Sequence, residues 1–444
     1  MKKVSSRPVL FILMALLPVA SLKAQMAGKI TLSDAVQIAL KNNLGMQIAT
    51  NNVTIAGVNN DYGVAGGLPY INASAGNQET AGSLRQTFAN DSLNKSTNNA
   101  FSNSTTASLS GNILLFNGWR VNNTKRRLAT VERQSRQQLS SRALILINNV
   151  MLKYYDIVRQ QSYARTLKQS IDVSRQRLDI VRAQQNVGVA NNADLFQSQV
   201  DLNTAVQNLQ AQQLIVDQGK TDLLTLMTLN PDSAIAVEDT IVVDSTLRLG
   251  PILDAVQSAN PDVLVADEQI TIARFLVKEI GAQRYPSLYF NGGYNLVRSQ
   301  NSNVNKVTPL MNLSYGPYVG ITLNLPLFNG GVFKKQQEVA DINAKNFQLQ
   351  KDTLILNYTS NAVKNWQAYN SNLSQLQTAK ANYDLSQKLL DLVLQRFQLR
   401  QATIVDVKNA QQSFENAGYI LINVSFAAKS AEVQLRRYAN QLVP

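Results

Sequence analysis

Asp194 and Asp406 stand 212 positions apart, each just past a break between two long helical stretches. The first break runs from Gln185 to Leu195 and holds Gly188; the second runs from Phe397 to Val407 and holds Arg400 and Thr403. A helix that restarts exposes unpaired amide groups and the positive end of its dipole, so a side-chain oxygen there can cap them. Asp194 and Thr403 sit where a helix restarts, so Asp194 can cap those groups or favour the positive helix end, and Gly188 supplies the permissive backbone of a tight reversal. Asp406 lies within the first turn after Thr403. Its carboxylate either serves the helix dipole or projects as a fixed negative charge into a pore mouth. In either role these groups attract and orient; they break no bond.

Other chemistry finds little support. The chain has no His and no Cys, which removes imidazole general-base catalysis, disulfides and most ordinary zinc, copper and haem sites. No Walker-type loop is present, and Gly63, Gly66 and Gly67 make no dinucleotide fingerprint. The adjacent carboxylates Asp267 and Glu268 fall in a polar helical stretch, where a solvated face is the expected setting. No catalytic residue, metal site or cofactor is expected.

The elements that carry the two breaks come in two copies. Phe116-Asn117-Gly118 returns as Phe328-Asn329-Gly330 at the same 212-residue spacing, which also carries Gln199 to Gln411. Upstream, Leu68-Pro69-Tyr70-Ile71 parallels Tyr285-Pro286-Ser287-Leu288, and Ala35-Val36 parallels Ala255-Val256. Each half reads as helix, Pro, strand, polar linker, strand, Phe-Asn-Gly turn, long helix, turn, long helix. The expected division is 1–24 as a signal peptide, 25–246 as the first repeat and 247–444 as the second. The first repeat holds a strand hairpin 70–116, a helical hairpin 118–228 and an equatorial segment 229–246. The second holds a strand hairpin 286–327 and a helical hairpin 330–441.

The strands alternate with a period of two. Over 104–115, Thr105, Ala107, Leu109, Ile113 and Leu115 share one face; over 288–296, Leu288, Phe290, Tyr294 and Leu296 do; over 315–327, Tyr315, Val319, Ile321, Leu323, Leu325 and Leu327 do. The stretch 71–79 is the weakest. A membrane β-barrel strand requires this pattern, and a half-buried soluble sheet shares it. Four strands are too few to close a barrel, and open edges do not persist in lipid, so several chains must pool theirs. The linkers 82–102 and 299–312, rich in Asn, Ser and Thr, suit solvated loops. From Gly118 to Gln184 there is no Pro, and a helix of that length spans roughly 100 Å. Leu144, Ile147, Met151, Tyr154 and Val158 step by three and four, as do Leu376, Ala379, Tyr383, Ser386, Leu390, Val393 and Phe397; both runs predict coiled-coil packing.

The chain opens on Met1-Lys2-Lys3 and an apolar run from Val9 to Ala20, the pattern of a secretory signal cleaved after Ala24, where the other reading is a buried or membrane helix. The run is shorter than the roughly 20 residues a spanning helix needs. With no Cys at that junction, no lipid anchor is expected. The formal charge is +13. Fourteen basic residues fall between Arg120 and Arg182 against four acidic ones, with no aromatic interleaving, which points to a solvated helix face rather than nucleic-acid binding.

The tips resemble those of the TolC-like outer membrane efflux proteins, whose coiled-coil tips carry aromatic-x-x-Gly-x-x-Ser/Thr-x-x-Asp-hydrophobic. With Pro326-Leu327-Phe328-Asn329-Gly330-Gly331 and the duplication, the resemblance covers about 30–440. It implies a mixed α and β membrane protein: a homotrimer with a long antiparallel coiled-coil α-helical barrel joined to a transmembrane β-barrel, four strands per protomer and twelve in all. It implies a passive exit channel of a tripartite efflux or type I secretion system in the outer membrane, crossing the periplasm and contacting outer-membrane lipid. A periplasmic adaptor would dock on tip residues Gly188, Asp194, Phe397, Arg400 and Thr403, and the inner-membrane pump would be of RND, ABC or MFS type. Asp406 and Asn409 would ring the periplasmic entrance, and opening would splay the second helical hairpin. Two residues depart from the pattern: Arg400 stands where glycine is expected, and Gln185 where an aromatic is. The reading from another class is a periplasmic adaptor or scaffold with coiled-coil hairpins.

Overall fold

The computed structural model describes residues 28–237, 240–302 and 309–442; the proposed signal peptide lies outside them. Helices α1 (Leu32–Asn42) and α2 (Leu44–Asn59) lead into strands β1 (Tyr70–Gln86) and β2 (Lys95–Phe116), then helices α3 (Arg120–Asn186) and α4 (Asn192–Leu226). The second copy follows as α5 (Leu249–Ser258), α6 (Pro261–Ala282), β3 (Ser287–Asn301), β4 (Met311–Asn324), α7 (Val332–Gln398) and α8 (Ile404–Tyr438). Helices α3 and α7 each hold 67 residues, α4 and α8 each 35. At 1.5 Å per residue the longer pair runs roughly 100 Å. Helices this long stand only because a neighbour buries one stripe, and α3 does so with Leu144, Met151, Tyr154, Val158, Leu167, Ile171, Leu178 and Val181.

The duplication extends to single backbone angles. Gly118 and Gly330 (φ 64° and 67°), Trp119 and Gly331 (66° and 76°), Gly188 and Arg400 (73° and 61°), and Thr228 and Asn440 (54° and 55°) adopt the left-handed region in pairs. Each pair is 212 residues apart. These are the junctions where a strand becomes a helix or a helix reverses. The geometry therefore belongs to the architecture, and the side chains at three of the pairs adapt to it at a steric cost.

The four strands form one antiparallel sheet in the order β1-β2-β3-β4. Its register sets Ala73 opposite Leu109, Leu109 opposite Tyr294, Ile113 opposite Phe290, Phe290 opposite Ile321 and Leu288 opposite Leu323. Apolar residues from all four strands therefore share one face, and Ile71, Leu109, Val319, Ile321 and Leu323 are exposed on it. The other face carries Ser74, Ser108 and Asn295 in one rung, with Ser74 and Ser108 hydroxyls 2.8 Å apart. The polar linkers are shorter than expected: β1 and β2 absorb most of 82–102, because their backbone pairing continues through Leu84 opposite Thr97 to Gln86 opposite Lys95. By contrast β4 stops at Asn324, short of the expected 327.

No helix among the described residues is long and apolar enough to cross a membrane. The largest core lies where the segment after α4 returns against α1, α3 and α4, around Val36, Tyr154, Leu223 and Met227. There Tyr154 donates its hydroxyl to the Ile30 carbonyl at 3.1 Å. Nearby, Glu432 of α8 accepts from the Asp244 amide and pairs with Lys429, both at 3.0 Å, fastening the equatorial segment to the second hairpin.

Candidate functional site

Both hairpins reverse by the same bonds. The Val189 amide donates to the Gln184 carbonyl and the Gln401 amide to the Arg396 carbonyl, each at 2.8 Å, closing the C-terminal ends of α3 and α7 over the left-handed Gly188 and Arg400. Arg400 thus takes the glycine conformation, and nearby the Arg396 guanidinium donates to the Gln401 carbonyl at 3.0 Å.

The caps decide between the two roles open to Asp194. Asn191, not Asp194, caps α4: its side-chain oxygen accepts from the Asp194 amide at 2.8 Å. Asp194 sits in the first turn, where its charge meets the helix dipole. The sequence held the signal for this, because the 212-residue spacing carries Asn191 to Thr403. Thr403 does cap α8, in a reciprocal pair: its hydroxyl accepts from the Asp406 amide at 3.2 Å, and Asp406 Oδ2 accepts from the Thr403 amide and hydroxyl, both at 2.8 Å. The Thr403 amide first, then its hydroxyl, hold the Asp406 carboxyl below the ordinary Asp range. Asp406 and Asn409 are both exposed, one turn apart on α8.

The structure brings the two tips together. Phe397 is buried with Val181, Leu394 and Val407, and Ala190 and Leu195 of the first tip pack against this group. The strand-to-helix turns are far away, at the other end of the long helices. There Asn117 Oδ1 accepts from the Val121 amide in the first turn of α3 at 3.3 Å, two residues before the left-handed N-cap Trp119. A Cβ on Gly118 would lie 2.7 Å from the Tyr285 Cβ and 2.9 Å from the Ala282 carbonyl, so only glycine fits. Phe116 and Trp119 rings meet edge to face at 6.2 Å. In the second copy of this turn, Phe328-Asn329-Gly330, the phenylalanine is exposed and a Cβ on the glycine would meet open space.

A polar interlock behind the tips had no signature in the sequence. Arg177, assigned above to a solvated face, is buried and donates from Nη2 to Asp201 Oδ2 of α4 at 2.8 Å. Lys408 of α8 reaches the other oxygen of Asp201 at 3.2 Å, joining the two hairpins. One helical turn further, Gln411 donates to the Ser174 hydroxyl at 2.9 Å and also bonds Ser170, whose own hydroxyl meets Glu415. Ser170, Arg177, Asp201, Lys408, Gln411 and Glu415 line a cavity of about 220 Å³ between α3, α4 and α8. Other charges of α3 are spent on α6: Arg127 pairs with Glu279 at 2.7 Å and Arg133 with Glu268 at 3.1 Å. Asp267 pairs with Lys351 of α7 at 2.5 Å, so the adjacent carboxylates hold two different helices and neither faces solvent alone.

Two long hairpins closed at joined tips, with a four-stranded sheet at the far end, match a known family. The model of the outer membrane efflux proteins fits residues 35–228 and 252–441, once per copy. The chain belongs to the outer membrane efflux protein family. Among its relatives, the outer membrane protein TolC of Vibrio cholerae is 24% identical over 327 residues, 70% of this chain and 72% of that one. The toxin and drug export protein A of Aggregatibacter actinomycetemcomitans is 24% identical over 410 residues, 90% of this chain and 85% of that one. The outer membrane protein VceC of Vibrio cholerae superposes with a TM-score of 0.73 at 16% identity, covering 92% of this chain and 95% of that one. The outer-membrane channel OprN superposes at 0.75 and 14% identity, covering 93% and 90%. Membership makes this outer membrane efflux protein a transport component with an α-helical barrel and a β-barrel, and the adaptor or scaffold reading is not favoured.

Proposed function

We propose that three copies of the chain form a passive exit duct, the outer-membrane part of a tripartite efflux or type I secretion system. The observation that carries this is the sheet: four strands with one continuous apolar face, exposed, and both outer edges unpaired among the described residues. Such a sheet satisfies its edges only by closing with copies of itself, and its apolar face calls for lipid. Residues 25–246 and 247–444 would then be the two repeats of each protomer, exported by a signal at 1–24 and without a lipid anchor.

In this reading the joined tips form the periplasmic mouth. Asp406 contributes a ring of carboxylates backed by Asn409, and a periplasmic adaptor docks over Gly188, Asp194, Phe397, Arg400 and Thr403, linking the duct to an inner-membrane pump of RND, ABC or MFS type. The turns at Phe116-Asn117-Gly118 and Phe328-Asn329-Gly330 hand the strands over to the helical barrel. Parting α8 from α3 and α4 opens the mouth, as adaptor contact favours the parted state. The test is planar-bilayer current from purified protein whose mass in detergent is measured by light scattering. A trimer that passes steady current is expected; a monomer without current overturns the proposal.

A further inference from the structure

Both 67-residue helices start beside one cavity, and no acidic side chain meets them there. The first turns of α3 and α7 hold no Asp or Glu, and neither N-cap, Trp119 or Gly331, gives a side-chain cap. At the tips the arrangement is the opposite: Asp194 and Asp406 stand in the first turns of α4 and α8, behind the side-chain caps Asn191 and Thr403. A helix start carries unpaired amides and about half a positive charge, so two starts left open favour an anion between them.

The cavity measures about 290 Å³. Arg120, the first residue of α3, and Phe333 of α7 line it together with Asn117, Gln283, Tyr289 and Asn324; no Asp or Glu does. Arg127 and Arg133, further along α3, have acidic partners in Glu279 and Glu268. The exposed Arg120 guanidinium has no partner among the described residues. Asn117 is 8% exposed; its Oδ1 takes the Val121 amide, while its Nδ2 is buried with no protein group to donate to. A buried donor left unmatched is costly, and a bound acceptor relieves it.

The cavity opens on the polar face of the sheet, to which Tyr289 and Asn324 belong, opposite Thr322 and Ser287. From Tyr70 opposite Asn112 to Gln78 opposite Ser104, that face carries no charge. The same holds from Tyr289 opposite Thr322 to Ser299 opposite Asn312. Arg120 therefore sets a positive charge at the foot of a neutral wall of hydroxyls, amides and rings.

We propose that this cavity binds a small aromatic carboxylate, one site per chain. The planar fork of Arg120 matches a carboxylate with two bonds, and the Asn117, Gln283 and Asn324 amides add donors around it. The Tyr289 and Phe333 rings flank the apolar body of the ligand. The lining comes from a single chain, whereas its place on the inner wall rests on the duct reading. In that reading the site is a halt on the way out, loose enough to release its occupant.

Benzoate and its uncharged analogue benzamide test the site, by saturation-transfer NMR on full-length protein in detergent with empty micelles as the blank. Wild-type protein should bind benzoate about tenfold more tightly than benzamide, and Arg120→Gln should bring the two to one affinity. Arg120→Lys keeps the charge without the fork and should fall between. Equal binding of benzoate and benzamide by the wild-type protein overturns the site, as does a benzoate preference that survives Arg120→Gln. Planar-bilayer recording at constant ionic strength separates the site from the duct: benzoate should lower the wild-type current and leave that of Arg120→Gln unchanged. Benzoate binding that needs Arg120 but leaves the wild-type current untouched upholds the site and counts against the polar face as the wall of the duct.

Discussion

Replacing Asp201 by Ala tests the interlock behind the tips. Arg177 is 1% exposed on its side chain, and its Nε and Nη1 bond no protein group. Asp201 is therefore the carboxylate that makes this buried charge tolerable, and burial already pushes the Arg177 pKa down against the pull of Asp201. Removing one partner of a buried pair costs about 3–5 kcal/mol, because the other charge is stranded. The Lys408 contact, 44% exposed on the lysine side, adds less than about 1 kcal/mol. Arg177→Met is milder, about 1–2 kcal/mol, since Asp201 keeps Lys408 and the Gln197 amide at 2.9 Å. The double variant removes both charges and should cost less than Asp201→Ala alone. Amide hydrogen exchange in the assembled protein reads the local opening of α4 and the tips. At roughly tenfold per 1.4 kcal/mol, Asp201→Ala should accelerate it by about two to three and a half orders of magnitude. Bilayer recordings should show more frequent opening. A loss under about 1 kcal/mol, or a double variant as damaged as Asp201→Ala, would refute the stranded-charge argument.

Asp406→Ala should weaken block of the channel current by divalent or trivalent cations; unchanged block would remove Asp406 from the entrance. Because the Asp406 pKa is lowered by Thr403, its carboxylate and the cap it forms are present above the ordinary Asp range and are lost as pH falls through the lowered value. Cation block should accordingly survive acidification past the ordinary range, and Thr403→Val should move its loss to higher pH in the same recordings. Arg400→Gly relieves a left-handed arginine and should raise stability by about 0.5–1 kcal/mol in denaturant titrations, while Gly188→Ala should lower it by about 1 kcal/mol; a destabilised Arg400→Gly would mean that the arginine side chain itself is needed. Ile321→Arg, on the apolar face, should cost about 2–4 kcal/mol and block membrane insertion, whereas Thr322→Arg on the other face should insert, as measured by release from membranes only with detergent.

How much was legible follows from the range of each interaction. The duplication, the Pro-free helices and the two-residue alternation are properties of neighbouring residues, so sequence alone determined that the chain holds two copies of a strand hairpin and a long helical hairpin. The apolar stripe from Leu144 to Val158 and the Thr403 cap are local in the same sense. Tertiary structure decided the rest. Arg177 looked like one of many basic residues on a helix face until α4 brought Asp201, 24 residues away in sequence, to within 2.8 Å. Asp267 and Glu268 looked like a solvated pair until two separate helices claimed them. Strand ends followed backbone pairing rather than side-chain polarity, so β1 and β2 outran their apolar stretch and β4 fell short of its own. A side chain carries its type in the sequence, but its burial and its partner are set by whichever remote element packs over it, and electrostatics in a closed site depend on both.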